Sequence, residues 1–183
     1  MKKVYLFLAE GFEEVEALTT VDLLRRAGIE LTTVSINGSM IVNGAHKITV
    51  NADRMLEDVD FSIPDMLVLP GGSPGWKNIE SCEALMQRVD EFAKAGKWVA
   101  AICGAPSILG RRGLLKGKKA CVYPGMEGEL SGAIANDKTV NVDGNIITSR
   151  GVGTAIDFSL AIIEQLVDKA TSDQIAHSIV YKY

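Results

Sequence analysis

Histidine and cysteine are scarce in this sequence, with two of the first and three of the second among 183 residues. The cysteines, Cys82, Cys103 and Cys121, are odd in number and show no CxxC spacing. A disulfide scaffold and a structural zinc site are both unexpected, and a reducing cytoplasm is the expected compartment. His46 and His177 are too few to build a metal cluster, so no metal or other cofactor is expected. Basic residues are no more plentiful. Nineteen Lys and Arg face 23 Asp and Glu for a net charge of −4, and no basic stripe with interleaved aromatics occurs, so nucleic acid is not an expected partner. No run approaches the roughly 18 apolar residues of a membrane span. The opening Met-Lys-Lys-Val-Tyr-Leu-Phe-Leu-Ala reaches Glu10, Glu13 and Glu14 too soon for a signal peptide and reads as a first strand. Phosphate loops are missing too. Gly113 to Lys118 has the wrong spacing, and Gly151-Val152-Gly153 lacks the third glycine of a dinucleotide fingerprint.

What the sequence does contain is alternation. Apolar runs at Val4–Ala9, Ile29–Ile36, Met66–Leu69, Trp98–Ile102, Ala120–Tyr123 and Ile146–Ser149 read as strands. Helical periodicity fits 14–27, 83–95, 104–111 and 154–168, with a last short helix near 172–181. Continuous apolar strands separated by helices predict a mostly parallel α/β sheet, doubly wound and covered by helices on both faces. Asn43-Gly44 and Asp143-Gly144 mark two added hairpins. With no linker, repeat or low-complexity tract, residues 1–183 read as one domain. On the first helix Ala17, Leu18, Val21 and Leu24 form the stripe expected to face the sheet. A second stripe of Glu16, Thr20, Leu23 and Ala27 has two readings: cover by a second subunit, or a surface Glu beside an exposed Leu.

The chemistry collects at strand ends. Cys103 closes the apolar run Lys97 to Ile102 and opens the small-residue run Gly104-Ala105-Pro106. A thiol at a strand-to-helix turn stands at the sheet edge, where open α/β folds bind ligands and where a helix N-terminus favours thiolate. The alternative is a buried cysteine acting as a small hydrophobe. Strand Met66–Leu69 ends in Pro70-Gly71-Gly72, whose backbone N–H groups can form an oxyanion hole, or a plain turn. Ser149-Arg150-Gly151 ends another strand, and Arg150 there is either an anion holder or a surface residue.

Four segments together carry a resemblance: Ala9 to Glu16, Val68 to Gly72, Ala100 to Pro106 and Thr148 to Thr154. In order and spacing the chain resembles the ThiJ/PfpI superfamily, in the DJ-type branch of the parkinsonism-associated deglycase. The resemblance implies a flavodoxin-like sandwich and a homodimer. It implies that Cys103 is a reactive elbow cysteine, that Glu16 is a mostly protonated partner of its sulfur, and that N–H groups of Gly72 and Gly104 form an anion pocket. A desolvated carboxyl group has a raised pKa, and as a neutral acid it donates to a thiolate. One or two units of lowering would make Cys103 mostly thiolate near neutrality. The chain departs from the superfamily at two positions. Gly104 stands where the protease-like branch has His after the nucleophile, which disfavours a peptidase or amidase. Tyr123 matches the position of a His in many DJ-type proteins, and a phenol is a poor base near neutrality.

The expected function is therefore cofactor-independent chemistry on reactive carbonyls. Its form would be a glyoxalase III-type conversion of methylglyoxal to lactate, or deglycation of glycated protein. The rival is an oxidative-stress sensor or chaperone built on an oxidisable Cys103.

Overall fold

The computed structural model describes residues 1–181. Its strands are β1 (Lys3–Leu8), β2 (Glu30–Ser35), β3 (Ile41–Asn43), β4 (Thr49–Asn51), β5 (Arg54–Met55), β6 (Met66–Leu69), β7 (Trp98–Ile102), β8 (Lys119–Ala120), β9 (Ile134–Ala135), β10 (Val140–Asp143) and β11 (Ile146–Ser149). Its α-helices are α1 (Glu14–Arg26), α2 (Gly75–Ser81), α3 (Glu83–Lys94), α4 (Pro106–Arg111), α5 (Ala155–Leu166) and α6 (Lys169–Ser178). The main sheet runs β10-β11-β7-β6-β1-β2-β5, with every pair parallel except the β10–β11 hairpin at its edge. This is the doubly wound α/β sandwich that the alternating apolar runs predict.

Period-two alternation sorts the strand residues between two cores. Val4, Leu6 and Leu8 of β1 join Met66, Val68, Ala100 and Phe158 on the α1/α5 face. Tyr5 and Phe7 join Leu67, Leu69, Val99 and Met86 on the α3 face. With both faces buried, β6 and most of β7 read as unbroken apolar runs. Gly28 and Gly96 follow α1 and α3 with φ of +75° and +73°, the left-handed conformation that closes a helix.

Four readings change. Ala120–Tyr123 is not a sheet strand: only Lys119–Ala120 is extended, and it pairs with β9 outside the main sheet. The far side of β11 is already taken by β10, so no ladder position is open to it. The last helix starts at Lys169 rather than near 172, because the Asp168 side chain accepts from the Thr171 N–H at 2.7 Å and caps it. The hairpin after β2 has a longer loop than Asn43-Gly44 suggests, since Asn43 pairs with Thr49. Lastly, the second stripe of α1 is covered within the chain. Thr20 and Leu23 are buried, and Ser159 on α5 donates to the Thr20 hydroxyl at 3.2 Å. The apolar α1 side chains left exposed are Val15 and Leu18, the latter from the stripe expected to face the sheet.

Strand order places the site. β1 lies between β2 and β6, so the chain leaves β1 for one side of the sheet and later returns on the other. Loops after β1 and β6 diverge there, and the crevice between them is where open sheets bind ligands.

Candidate active site

Three loops meet in that crevice, and two of them touch backbone to backbone. The Glu13 N–H donates to the Gly71 carbonyl at 2.9 Å, and the Gly75 N–H to the Gly11 carbonyl at 3.1 Å. Gly72 has φ +96°, and a Cβ there would collide with the main chain of Gly11, Phe12 and Glu13. No other residue fits both the dihedral and the space.

Cys103 follows β7 with φ +64°, an unusual conformation for a residue with a side chain. Two backbone bonds hold it there. Its N–H donates to the Ser149 carbonyl at 3.1 Å, and its carbonyl accepts from the Tyr123 N–H at 2.8 Å. Tight, positive-φ turns of this kind concentrate at functional sites. Gly104 and Ala105 lead into α4, with Pro106 in its first turn.

Glu16 reaches the same place from the first turn of α1 and is completely buried. Its Oε2 accepts from the Gly71 N–H at 2.9 Å. Its Oε1 has no hydrogen-bond partner among the described residues. Gly71 is glycine because the pair occupies its side-chain space: a Cβ would lie 2.5 Å from Cys103 Cβ and 2.7 Å from Glu16 Oε2. The two side chains thus stand against each other over Gly71, close enough for each to shift the other's pKa.

The electrostatics follow from burial. Desolvation pushes the Glu16 carboxyl up to about 7, against the lowering bonds from Gly71 and Cys103. Neutral and charged Glu16 are thus both well populated near neutrality. The thiol moves opposite to the expected direction: burial, and then the Glu16 charge and hydrogen bond, push it up to about 12. Backbone N–H groups of Gly72 and Gly104 pull it down but do not win. When Glu16 is a carboxylate, then, the proton of the pair sits on sulfur, and the acid that must leave first is Glu16.

The remaining candidates divide between the cleft and its supports. A cleft of about 770 Å³ opens over Cys103 and Glu16, lined also by Gly72, Gly104, Tyr123 and Arg150. Tyr123 is half exposed at its mouth. Arg150 donates to the Asp137 carbonyl at 3.2 Å. Ser149 is buried and does not line the cleft. Its hydroxyl donates to the Thr139 carbonyl at 2.7 Å and lies 2.6 Å from that of Thr154. It supports the elbow through its backbone carbonyl.

Other residues had no prominence in the sequence. Thr154 Oγ1 takes the N–H groups of Arg150 and Gly151, at 3.2 and 3.1 Å, and shapes the turn under the cleft. Trp76 lies on α2, a helix too short to show a period, and lines the cleft beside Gly104. His46 is an exposed hairpin residue and is well bonded. Its Nδ1 lies 2.9 Å from Glu14 Oε2 and 3.6 Å from Glu13 Oε2, and its N–H donates to Glu14 Oε1 at 2.7 Å. These three residues bring donor atoms within 4.8 Å of one another. Glu14 uses its oxygens to fasten the β3–β4 hairpin to α1, and His46 and Ile48 supply the bonds. Those bonds outweigh burial and lower the Glu14 carboxyl. Cys121 is buried against Thr148, its thiol pushed up by burial, and Cys82 stands between α2 and α3.

Keeping Glu16 buried carries a pH-dependent cost. Its folded pKa lies above the ordinary 4.5, so its stabilising share is complete below pH 4.5 and is lost as pH rises through about 7. Above that, the penalty is about 3 kcal/mol. The uncharged variant Glu16→Gln should match wild type below pH 4.5 and exceed it increasingly up to pH 8, as measured by urea unfolding at each pH.

Comparison with known proteins agrees with this fold. The family model described as DJ-1/PfpI family matches residues 2–165. "Protein DJ-1 homolog A" of Arabidopsis thaliana is 39% identical over 99% of this chain and 47% of its own length. The chain thus spans about half of that relative. "Glutathione-independent glyoxalase DJ-1" of Schizosaccharomyces pombe is 31% identical over 92% of this chain and 93% of its own length. The solved structure "Toxoplasma gondii DJ-1, oxidized" superposes with a TM-score of 0.96 at 34% identity, covering 100% of both chains. The chain belongs to the DJ-1/PfpI family.

Proposed function

We propose that this protein is a cysteine-dependent, cofactor-independent enzyme acting on reactive carbonyls such as methylglyoxal. The observation that carries the reading is the Glu16–Cys103 pair: a carboxyl group raised to about 7, with one oxygen unpartnered, against a thiol at a strained elbow. A base beside a nucleophile activates it when its own pKa lies near working pH. The Glu16 carboxylate takes the thiol proton as sulfur bonds to the aldehyde carbon. Glu16 passes that proton to the developing oxyanion, which gives a hemithioacetal and restores the carboxylate. Glu16 then removes the hydrogen from that carbon and returns it to the neighbouring carbonyl carbon. The hydroxyl proton moves from the first oxygen to the second, leaving a thioester beside a hydroxyl-bearing carbon. Water cleaves the thioester, and lactate and free Cys103 are released. Methylglyoxal and one water are consumed, with no net oxidation. N–H groups of Gly72 and Gly104 belong to the site where negative charge develops, whereas that of Gly71, also expected there, is taken by Glu16. In support, the S. pombe relative carries the name glyoxalase. On a hemiaminal adduct sulfur would instead displace the protein amine, which leaves with the thiol proton, and the later steps would complete a deglycation.

A raised thiol pKa argues for activation on demand rather than for a standing thiolate. That favours the enzyme over a redox sensor, and the carbonyl enzyme over a peptidase, which has no histidine beside Cys103. We place the protein in the cytoplasm, where the thiol stays reduced. Among the described residues no helix is long and apolar enough to cross a membrane. We also propose a homodimer. Val15 and Leu18 on α1 and Ile41 and Ile48 on the adjoining hairpin are exposed apolar side chains, and burying them against a second copy would remove them from water.

Steady-state methylglyoxal consumption with lactate detection tests the chemistry. Wild type should turn over with kcat/KM rising through about pH 7, Cys103→Ser should be inactive, and Glu16→Gln should lose at least about 100-fold. Turnover retained in Cys103→Ser overturns the mechanism. Absence of turnover together with stoichiometric oxidation of Cys103 at low peroxide would favour the sensor. Light scattering should give twice the 19.6 kDa chain mass for wild type and one chain mass for Leu18→Glu. A monomeric wild type removes the dimer.

A further inference from the structure

The residue after the nucleophile has no side chain because Trp76 stands in its place. A Cβ on Gly104 would lie 2.7 Å from both Cδ1 and Nε1 of the indole. A histidine there, as in a protease-like site, would collide with a ring that is firmly held. Trp76 lies in the first turn of α2, and its backbone N–H donates to the Gly72 carbonyl at 2.9 Å, so the indole hangs from the same glycine loop that cradles sulfur. The Arg111 guanidinium lies over the ring at 5.3 Å and Lys77 Nζ at 5.5 Å. Arg111 is itself fixed, with bonds of 2.7 and 2.9 Å to Glu80 and 2.6 Å to Glu129. The ring therefore presents a rigid apolar surface to the cleft above Cys103.

The rest of that space is larger and less polar than methylglyoxal requires. Tyr123, Met126 and Val152 line the cleft with Trp76, and Tyr123 and Val152 are 52% and 46% exposed. A cleft of about 770 Å³ falls in the range that holds drug-sized ligands rather than a three-carbon aldehyde. Exposed aromatic and aliphatic side chains at the mouth of a reactive site need something flat and apolar to cover them.

We propose that Trp76 is a specificity-determining residue and that the cleft takes α-oxo-aldehydes bearing an aromatic arm in preference to methylglyoxal. The arm packs against Trp76, Met126 and Val152, and the aldehyde carbon meets Cys103. This proposal rests on the carbonyl-enzyme reading and refines its substrate class.

The test compares kcat/KM for phenylglyoxal and methylglyoxal in wild type, Trp76→Phe and Trp76→Ala, with thermal unfolding confirming that each variant is folded. Wild type should favour phenylglyoxal by at least about tenfold. Trp76→Ala should lose at least about tenfold more on phenylglyoxal than on methylglyoxal, chiefly in KM. Trp76→Phe should keep more of the aryl preference than Trp76→Ala. Equal loss on both substrates, or no aryl preference in wild type, overturns the proposal. A binding measurement separates it from the chemistry. In Cys103→Ser, calorimetry should show benzoylformate binding at least about tenfold tighter than pyruvate, and adding Trp76→Ala should abolish the difference. If neither aldehyde turns over but this preference holds, the carbonyl-enzyme reading fails while the recognition stands. If aldehydes turn over and benzoylformate shows no preference, the recognition fails alone.

Discussion

The contact on which the rest depends is the one between a fully buried carboxyl group and a half-buried thiol. Glu16 comes from the first turn of α1, Cys103 from the end of β7, and they meet over Gly71 at the end of β6. None of the three can move without the others. A side chain at 71 would displace both reacting groups, and a carboxyl group without the Gly71 N–H would have lost one of the bonds that make its charged form tolerable. Desolvation brings the Glu16 pKa to about 7, where a base is both present and strong enough to matter. The same desolvation keeps the thiol protonated until that base acts.

The scaffold serves this contact in a layered way. Parallel strands bring three strand ends to one sheet edge, and the change of direction after β1 opens the crevice. Close backbone packing between the loops after β1 and β6 fixes the glycine pair. Ser149 and Tyr123, through main-chain groups alone, fix the dihedral angle of Cys103. Strain and burial at the centre are offset by two well-packed cores on either side of the sheet, where alternate residues of β1, β6 and β7 are buried.

Much of this was legible in the sequence, for identifiable reasons. Strand and helix order showed because a sheet buried on both faces demands unbroken apolar runs, and Cys103 showed because its neighbours change from strand-like to helix-starting at that residue. Glu16 was harder. A lone Glu on a helix face says little until the helix is known to start at the sheet edge, and the stripe beside it reads equally as a covered face or a solvent one until α5 of the same chain is seen to cover it. Ala120–Tyr123 has the composition of a strand, but composition cannot reveal that β10 already fills the neighbouring place. The direction of the Cys103 shift was hidden as well. It depends on how fully Glu16 is desolvated and on which of the two groups carries the charge. Trp76 was invisible because a seven-residue helix has no readable period, and its importance lies in the missing side chain of Gly104.

Infrared difference spectroscopy across pH 4 to 9, comparing wild type with Glu16→Gln, addresses the central claim most directly. A buried carboxylic acid shows a carbonyl stretch that vanishes on ionisation. The account predicts a band, absent from the Gln variant, that disappears with a midpoint near 7. A Glu16 that ionises at the ordinary carboxylate value near 4.5 would contradict it, since the base beside Cys103 would then be too weak to activate the thiol in the manner described.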